Sequence, residues 1–210
     1  MSMFIGFKRL RIQPLGEDLK ASGDQIVIQG DPNKGATIKA EVSGISKDPT
    51  VVSGSNVGYY TSRKGVGTPK IDFDLLDVPL DSETIILGRE KSANGVQYTG
   101  EESEAPYCAI TMESEDGQGN VALVGFFYGV FSKDKETMNT KEQGETFKPE
   151  ADAYTFTASG SKQASTNGKY MAKYAGNSAT AVSELYKNVL LSDPTQSNSG
   201  SQTDTPAKQG

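Results

Sequence analysis

Two carboxylates, Asp72 and Asp74, have the spacing that most readily suggests chemistry in this chain. They alternate with apolar residues in the segment 70–78, so a strand would project both carboxylates from one face. Such a pair could hold a cation or perform acid–base work. No calcium-loop pattern surrounds them, and no third group converges from the local sequence. The favoured interpretation is the solvated face of a half-buried strand, with Ile71, Phe73 and Leu75 on the other face.

The side chains that most enzymes use are scarce elsewhere in the sequence. There is no His, the commonest general base and metal ligand, so Ser-His-Asp and Cys-His catalysis are excluded. The phosphate-binding Gly loop, zinc-ligand pairs and HExxH are absent, and Gly117-x-Gly119 lies in a turn before a strand, where it has no dinucleotide meaning. A glycosidase working from carboxylates alone would need a defined Asp/Glu pair, which the sequence does not specify. We predict no enzyme, and no catalytic, cofactor-binding or metal-binding residues.

The single cysteine, Cys108, excludes an intramolecular disulfide. It lies in the apolar strand pattern PYCAITM, which predicts a buried small hydrophobic residue. A reactive thiol would need polar, electropositive surroundings instead.

Charge and the N-terminal sequence narrow the class of protein further. The 210 residues carry a formal net charge of −6, so the chain is a poor candidate for wrapping nucleic acid, although it could lie near DNA in order to repel it. The start, MSMFIGFKRLRIQP, does not fit a signal peptide because Lys8, Arg9 and Arg11 interrupt a short apolar stretch. The sequence predicts synthesis inside the cell and no membrane anchor.

The segment around which we expect the other strands and helices to pack is 120–132, NVALVGFFYGVFS, the most hydrophobic stretch of the chain. As a strand it has apolar residues on both faces, which predicts a strand buried on both sides in a sandwich or barrel core. One face would carry Val121, Leu123, Phe127 and Phe131, and the other Ala122, Val124, Phe126, Tyr128 and Val130. Gly125 and Gly129 would share one face and allow a bend or a close backbone approach. Their small-xxx-small spacing does not indicate a membrane helix, because the apolar run has 11 residues and a bilayer needs about 20.

Further strands are predicted around this segment. Residues 105–112 should pair with 121–131 as a hairpin, joined by the turn chemistry of ESEDGQGN. The cleanest amphipathic strand is 35–43, with a dry face of Ala36, Ile38, Ala40 and Val42. Residues 3–15 form a first strand or an arm, 146–159 form a strand with Tyr154, Phe156 and Ala158 on one face, and 169–174 form a short strand.

Two helices and a polar tail complete the predicted elements. Residues 79–88 form a short internal helix, capped by Asp81 or Ser82 and ended by Gly88. Ile85 and Leu87 are its predicted apolar contacts with the rest of the protein. Residues 178–191 form a longer helix that packs on the sheet through Val182, Leu185, Tyr186, Val189 and Leu190. Residues 192–210 are polar and lack aromatics, which predicts a disordered tail.

The segment 44–68 differs from its surroundings because it is rich in Gly, Ser and Asn and poor in apolar residues. We interpret it as a loop of about 20 residues with an extended hairpin tip, and loops of that length are usually functional or disordered. It is either a contact arm to a neighbouring molecule or a mobile surface excursion. The sequence therefore predicts a mainly β, single-domain chain over 1–191 with long polar loops.

The order and spacing of these segments resemble the major tail protein family of phages with long non-contractile tails. The similar segments are GATIKAEVSG (35–44), NVGYYTSRKG (56–65), KIDFDLLDVPLDSETIILG (70–88), APYCAITMESED (105–116), NVALVGFFYGVFS (120–132), NTKEQGETFKPEADAYTFTASG (139–160) and TAVSELYKNVLL (180–191). No single piece is diagnostic, and the signal is their order over most of 35–191.

The resemblance implies a tail tube subunit of the virion. It implies a β-sandwich or partly open barrel domain with one flanking C-terminal helix and a short internal helix. Copies would form hexameric rings that stack into a tube around the tape measure protein and later conduct DNA during genome ejection, without sequence-specific binding. Tail-tip and terminator proteins would be further partners, and no membrane is implied. The segment 44–68 and an N-terminal arm, 1–15, would reach the next ring, and Asp72 and Asp74 would face either the lumen or the exterior.

Two other classes of function fit the residues. One is a different tail component on the same fold, such as a terminator or a secretion-type tube, whose rings would not stack or would stack under another trigger. The other is a monomeric β-sandwich binding module with a ligand groove, against which the absence of a signal peptide argues. Self-association into rings or tubes distinguishes the tube subunit from both.

Overall fold

The computed structural model describes residues 3–62, 65–140, 144, 146, 148–192 and 194. Strands dominate, and their bounds are β1 Ile5–Pro14, β2 Ile26–Ile28, β3 Ala36–Ser43, β4 Thr50–Gly54, β5 Val57–Ser62, β6 Lys70–Leu76, β7 Glu90–Lys91, β8 Gln97–Tyr98, β9 Cys108–Glu115, β10 Val121–Ser132, β11 Asp152–Ala158 and β12 Met171–Gly176. The helices are α1 Leu80–Leu87 and α2 Ala179–Leu190. The predicted mainly β class is confirmed, and the predicted tail at 192–210 lies almost wholly outside the described residues.

One antiparallel sheet organises the molecule. Its strands run in the order β2-β1-β9-β10-β11-β6-β3, and β12 pairs with β10 as well. The predicted β9–β10 hairpin is confirmed, with Val121 opposite Glu115. Of the two alternatives for 3–15, the structure shows the strand, because β1 pairs along β9 from Ile5 to Pro14. Most of the expected N-terminal arm is therefore part of the sheet.

Strand β10 is buried on both sides as predicted, but its faces change partway along. Its first half pairs with β12, its second half pairs with β11, and its register with β9 shifts between Phe126 and Gly129. The irregularity reverses the alternation of side chains. Phe131 consequently shares a core cluster with Phe126, whereas Phe127 lies in the other cluster. The strict two-face assignment was right through Phe127 and wrong beyond it, because Tyr128 lies with Leu123 and Phe131 lies with Phe126.

The two glycines of β10 allow close approach, but toward different neighbours. A Cβ on Gly125 would lie 2.8 Å from Cγ2 of Val189, on the side covered by α2. A Cβ on Gly129 would lie 2.5 Å from Cζ of Phe156, in the other cluster. The prediction of close approach is confirmed, and their placement on one face was wrong because the irregularity of β10 separates them.

The larger core cluster lies inside the curve of the sheet. It is built on β1, β6, β9, β10 and β11, and its fully buried side chains include Phe73, Phe126 and Phe156. The Thr37 hydroxyl donates a hydrogen bond to the carbonyl oxygen of Phe7, so β3 approaches β1 without pairing with it. The described strands therefore form a strongly curved sheet that stops short of a closed barrel.

The smaller core cluster lies between α2 and the outside of the sheet. Leu185, Tyr186, Val189 and Leu190 are buried there against side chains that include Leu123 and Phe127. Ser178 caps α2 by accepting a hydrogen bond from the backbone N–H of Ala181, at 3.4 Å. The flanking helix and its apolar stripe are thus confirmed.

Two local expectations were wrong. In β3 the register with β6 shifts between Thr37 and Lys39, and Ile38 is consequently 54% exposed instead of facing the core. In α1 the N-cap is Pro79, with no side-chain cap, and Ile86 is the buried apolar residue in place of Ile85. The helix does end at Gly88, which has a left-handed backbone and whose lack of a Cβ lets it pack against the backbone of Glu104.

Candidate assembly surfaces

Asp72 and Asp74 lie on the outward face of β6, as predicted. Ile71, Phe73 and Leu75 are fully buried on the other face. The carboxylate of Asp72 accepts a hydrogen bond from the Thr155 hydroxyl at 2.8 Å and lies 3.3 Å from the Lys70 ammonium. The hydrogen bond, and then the ammonium, lower the pKa of Asp72. No group of three potential metal-binding side chains occurs in the part of the chain that the structure describes.

The two carboxylates belong to a wider surface, here called the polar sheet face, formed by the outward residues of β3, β6 and β11. In its central row Glu41 lies opposite Asp72, which lies opposite Thr155. Lys39 pairs with Glu41 at 2.8 Å, as Lys70 pairs with Asp72. The five charged residues of the face are Lys39, Glu41, Lys70, Asp72 and Asp74. Three negative and two positive charges leave it nearly balanced, with a small negative excess.

The polar sheet face ends at an open sheet edge. Strand β3 pairs with β6 alone among the described strands and is the last strand in the sheet order. At the other end of that order is β2, and β12 pairs only with β10 in the part of the chain that the structure describes. An edge strand presents unpaired backbone N–H and C=O groups that another chain can satisfy. The backbone groups of these edge strands can therefore form hydrogen bonds with a strand of a neighbouring molecule.

The segment 44–68, here called the hairpin arm, contains a two-stranded hairpin, β4 and β5, outside the main sheet. Strands β4 and β5 pair with each other, and the predicted hairpin is confirmed. Ser55 and Asn56 at its tip both have positive φ, as a tight hairpin turn with the twist of the strands requires. Its large side chains face solvent, with Tyr59 83% and Tyr60 61% exposed. An apolar surface of this kind, with no core beneath it, suits contact with another molecule.

The two chain segments at the base of the hairpin arm lie close together. Gly44 has φ +67°, and a Cβ there would lie 2.2 Å from the carbonyl oxygen of Thr68. A Cβ on Gly67 would lie 2.6 Å from the carbonyl oxygen of Gly44. The two glycines let the outgoing and returning chains touch at the point where the arm leaves the sheet.

A second exposed apolar surface, here called the α1 surface, comprises α1, the β7–β8 hairpin and residues 99–104. Leu80, Val96 and Tyr98 are each at least half exposed. The side-chain amide of Gln97 donates to the carbonyl oxygen of Leu80 at 2.6 Å, which ties the hairpin to the helix. Tyr98 borders a groove of about 230 Å³ whose walls include Glu90, Glu101 and Glu102. The α1 surface is thus both apolar and acidic.

A buried ionic network behind α1 was not predicted. Lys133 lies 3.2 Å from Glu83 and 3.4 Å from Asp152, and Glu83 lies 3.2 Å from Arg89. The Lys133 and Glu83 side chains are 2% and 6% exposed. Burial by itself would lower the pKa of Lys133, but hydrogen bonds to Glu136 and Glu83 outweigh it and raise that pKa. The network fastens α1 to the end of β10. It could not be predicted from the charged segment 132–145, because the partners of Lys133 are distant in sequence.

A second ionic network joins β1, β9 and α2. Glu113 accepts hydrogen bonds from Arg9 and Arg11, each at 3.0 Å, and from the hydroxyl of Tyr186. Burial, followed by this bond to a carboxylate, raises the pKa of the Tyr186 hydroxyl. The sequence placed Glu113 in a turn, whereas it belongs to β9. The network holds α2 against the sheet.

Comparisons with known proteins fit this arrangement. A family model described as phage tail tube protein matches residues 13–203, which is most of the chain. Neither a search of curated proteins nor a search of solved structures found a match. Among the described residues, neither helix has the length and apolar character needed to cross a bilayer.

Proposed function

Because the chain belongs to the phage tail tube protein family, we propose that its copies form hexameric rings and that these rings stack into the tube of a long, non-contractile tail. Membership gives a structural role in a tail tube, and hence a place in the virion. The proposal rests on one observation, the family match over 13–203, which extends from the end of β1 through α2. The whole of 1–191 is proposed to act as one tube domain.

The polar sheet face is the surface that we assign to the lumen. Its β3 edge is free to pair with a neighbouring copy, and pairing around a ring would remove that edge. Side chains such as Thr155 make it polar, and the excess of negative charge disfavours binding of phosphate groups. Asp72 and Asp74 would then line a channel that first holds the tape measure protein and later conducts DNA without sequence-specific binding.

The remaining partners follow from the same role. Tail-tip and terminator proteins would cap the two ends of the stack, and the hairpin arm would reach the next ring. The chain would act without catalysis, cofactor, metal or membrane. Its synthesis would take place in the cytoplasm of the host.

Negative-stain electron microscopy of the purified protein, with light scattering on the same sample, tests the proposal. Rings of six copies, or tubes with a central channel, are the expected result. A persistent monomer at high concentration calls for addition of a tape measure fragment or a tail-tip complex. A chain that remains monomeric under these conditions would favour the binding-module alternative and would overturn the proposal.

A further inference from the structure

An apolar groove lies where β1 and β3 approach each other without pairing. The strands touch at the hydrogen bond from the Thr37 hydroxyl to the Phe7 carbonyl oxygen. Next to this contact is a groove of about 130 Å³, here called the β1–β3 groove. Its apolar lining comprises Phe4, Phe7, Ala40, Val42, Met112 and Val124. All of these except Phe4 lie in or against the larger core cluster, so the floor of the groove is the core itself.

An irregularity of β1 builds this groove. The register with β9 shifts between Ile5 and Arg9, so residues 6–8 lie opposite the single residue Ser114. Extra residues in one strand of a pair bend that strand away from its partner. Gly6 has φ +77°, and its carbonyl oxygen accepts a hydrogen bond from the Ser114 hydroxyl at 2.6 Å. This bond on one side and the contact with β3 on the other hold the bend in place, so the groove is a fixed feature of the fold.

A lysine ammonium lies at the rim of the β1–β3 groove. Lys173 of β12 is the cross-strand partner of Val124, and its Nζ lies 4.4 Å from the centroid of the Phe4 ring. Lys173 has no carboxylate partner among the residues that the structure describes. Glu113 lines the groove, but its carboxylate is already engaged by Arg11. The rim therefore offers a positive charge that can pair with the anionic group of a ligand.

The volume of the groove limits the size of its occupant. An apolar cavity of about 150 Å³ stays dry and takes up benzene. At about 130 Å³, the β1–β3 groove matches one aromatic ring or one branched alkyl group and is too small for a strand or a helix. Its apolar walls offer a water molecule few hydrogen-bond partners, so an apolar group is the favoured occupant.

We propose that the β1–β3 groove binds a small hydrophobic carboxylate. The aryl or branched alkyl group of the ligand fills the space between Val42 and Val124, and its carboxylate pairs with the ammonium of Lys173. The ligand would touch β1, β3 and β10 together, and would stabilise the folded chain because the unfolded chain lacks the groove. The inference goes beyond the proposed function and does not depend on it, since the groove lies within one copy.

Methyl NMR of the full chain, at a concentration where light scattering shows monomers, tests the site with 3-phenylpropionate as the probe. The methyl signals of Val42 and Val124 should shift and saturate with a Kd of about 1 mM, as expected for a ligand of this size. The methyl signals of Val189, in the smaller core cluster beneath α2, should stay in place. The matched probe is 3-phenylpropan-1-ol, which keeps the ring and chain but has no charge. It should bind at least fivefold more weakly, because it cannot form the ion pair.

Three variants separate the contributions of charge and shape. Lys173→Met should bring the affinities for the carboxylate and the alcohol within twofold of each other. The matched control is Lys169→Met, exposed just before β12, which should keep the fivefold preference. Ala40→Leu places a larger side chain in the groove and should abolish binding of both probes. Should Ala40→Leu lose the circular dichroism spectrum of the wild type, Lys173→Met still decides the matter, because its side chain is exposed and its removal leaves the core intact.

Four results would overturn the proposal. Neither probe shifts the methyl signals of Val42 and Val124 at ten times the expected Kd. The alcohol binds as tightly as the carboxylate to the unaltered chain. The largest shifts occur at Val189 instead. The signals of Val42 and Val124 shift with protein concentration in the absence of a probe, which would assign the groove to a second copy. None of these results bears on the tube role, which electron microscopy decides separately.

Discussion

Replacing Lys133 by Met should be among the most destabilising single changes in this chain. The Lys133 ammonium lies 3.2 Å from Glu83, and the two side chains are 2% and 6% exposed, so water cannot replace the lost partner. Removing one member of a buried pair typically costs about 3–5 kcal/mol. Arg89 remains 3.2 Å from Glu83 and still compensates part of its charge, so the lower end, about 3 kcal/mol, is expected.

Thermal and urea unfolding of the unassembled chain at neutral pH, followed by circular dichroism, measures this loss. For a chain of this length, about 3 kcal/mol should lower Tm by roughly 6–12 °C. The matched control is Lys135→Met, because Lys135 is exposed two residues further along, and its change should stay within about 0.5 kcal/mol. Adding Glu83→Gln to Lys133→Met should recover part of the loss by removing the stranded carboxylate. A free energy of unfolding for Lys133→Met that matches Lys135→Met would refute the importance of the network.

Three further results are expected. Gly129→Ala should lower the free energy of unfolding in urea more than Gly125→Ala does. The new Cβ at position 129 would lie 2.5 Å from the backbone oxygen of Thr157, whereas at position 125 it meets the Val189 side chain. Adding Val189→Ala should therefore rescue Gly125→Ala but not Gly129→Ala. Hydrogen bonds from the Asn120 side chain and from the backbone N–H groups of Asn120 and Gln118 lower the pKa of Asp116. The ionised carboxylate therefore contributes stability that is fully present above the ordinary carboxyl pKa of about 3.9 and is lost as the pH falls through the lowered pKa. Asp116→Asn should flatten the acid side of the stability curve, and an unchanged curve would contradict this. Burial raises the pKa of Cys108 to about 12, so the thiol should resist a disulfide reagent at pH 8 in the folded chain and react at once in urea; rapid reaction without urea would contradict the buried placement.

The parts of the fold that the sequence predicted are those controlled by local pattern. The β9–β10 hairpin follows from two apolar runs around a turn, and α2 follows from an apolar stripe at helical spacing behind Ser178. The alternation in β6 gave the buried and solvated faces correctly, including Asp72 and Asp74. In each case the deciding interactions lie within a few residues of each other.

The errors arose where a distant strand decides the geometry. The register shifts in β10 and β3 depend on what the neighbouring strands offer, and a single inserted residue reverses every face beyond it. The Lys133 network depends on Glu83, fifty positions away in sequence. The sequence of residues 100–104 shows the acidic character of the α1 surface. That these residues share a surface with Leu80 and Tyr98 is apparent only from the folded structure.

The pairing of β1 with β9 has a consequence for how the chain reaches its native state. Pro14 lies opposite Cys108 and Ile5 opposite Glu115, so this strand pair joins residues about a hundred positions apart. Closing so long a loop before its contacts form costs entropy, and chains dominated by such distant pairings fold slowly. On a ribosome, β1 must wait until β9 has emerged, and during that interval the exposed apolar side chains of the hairpin arm are already available to other nascent chains. Less frequent initiation of synthesis should therefore raise the yield of assembly-competent protein, because it reduces the number of unfinished chains that meet one another.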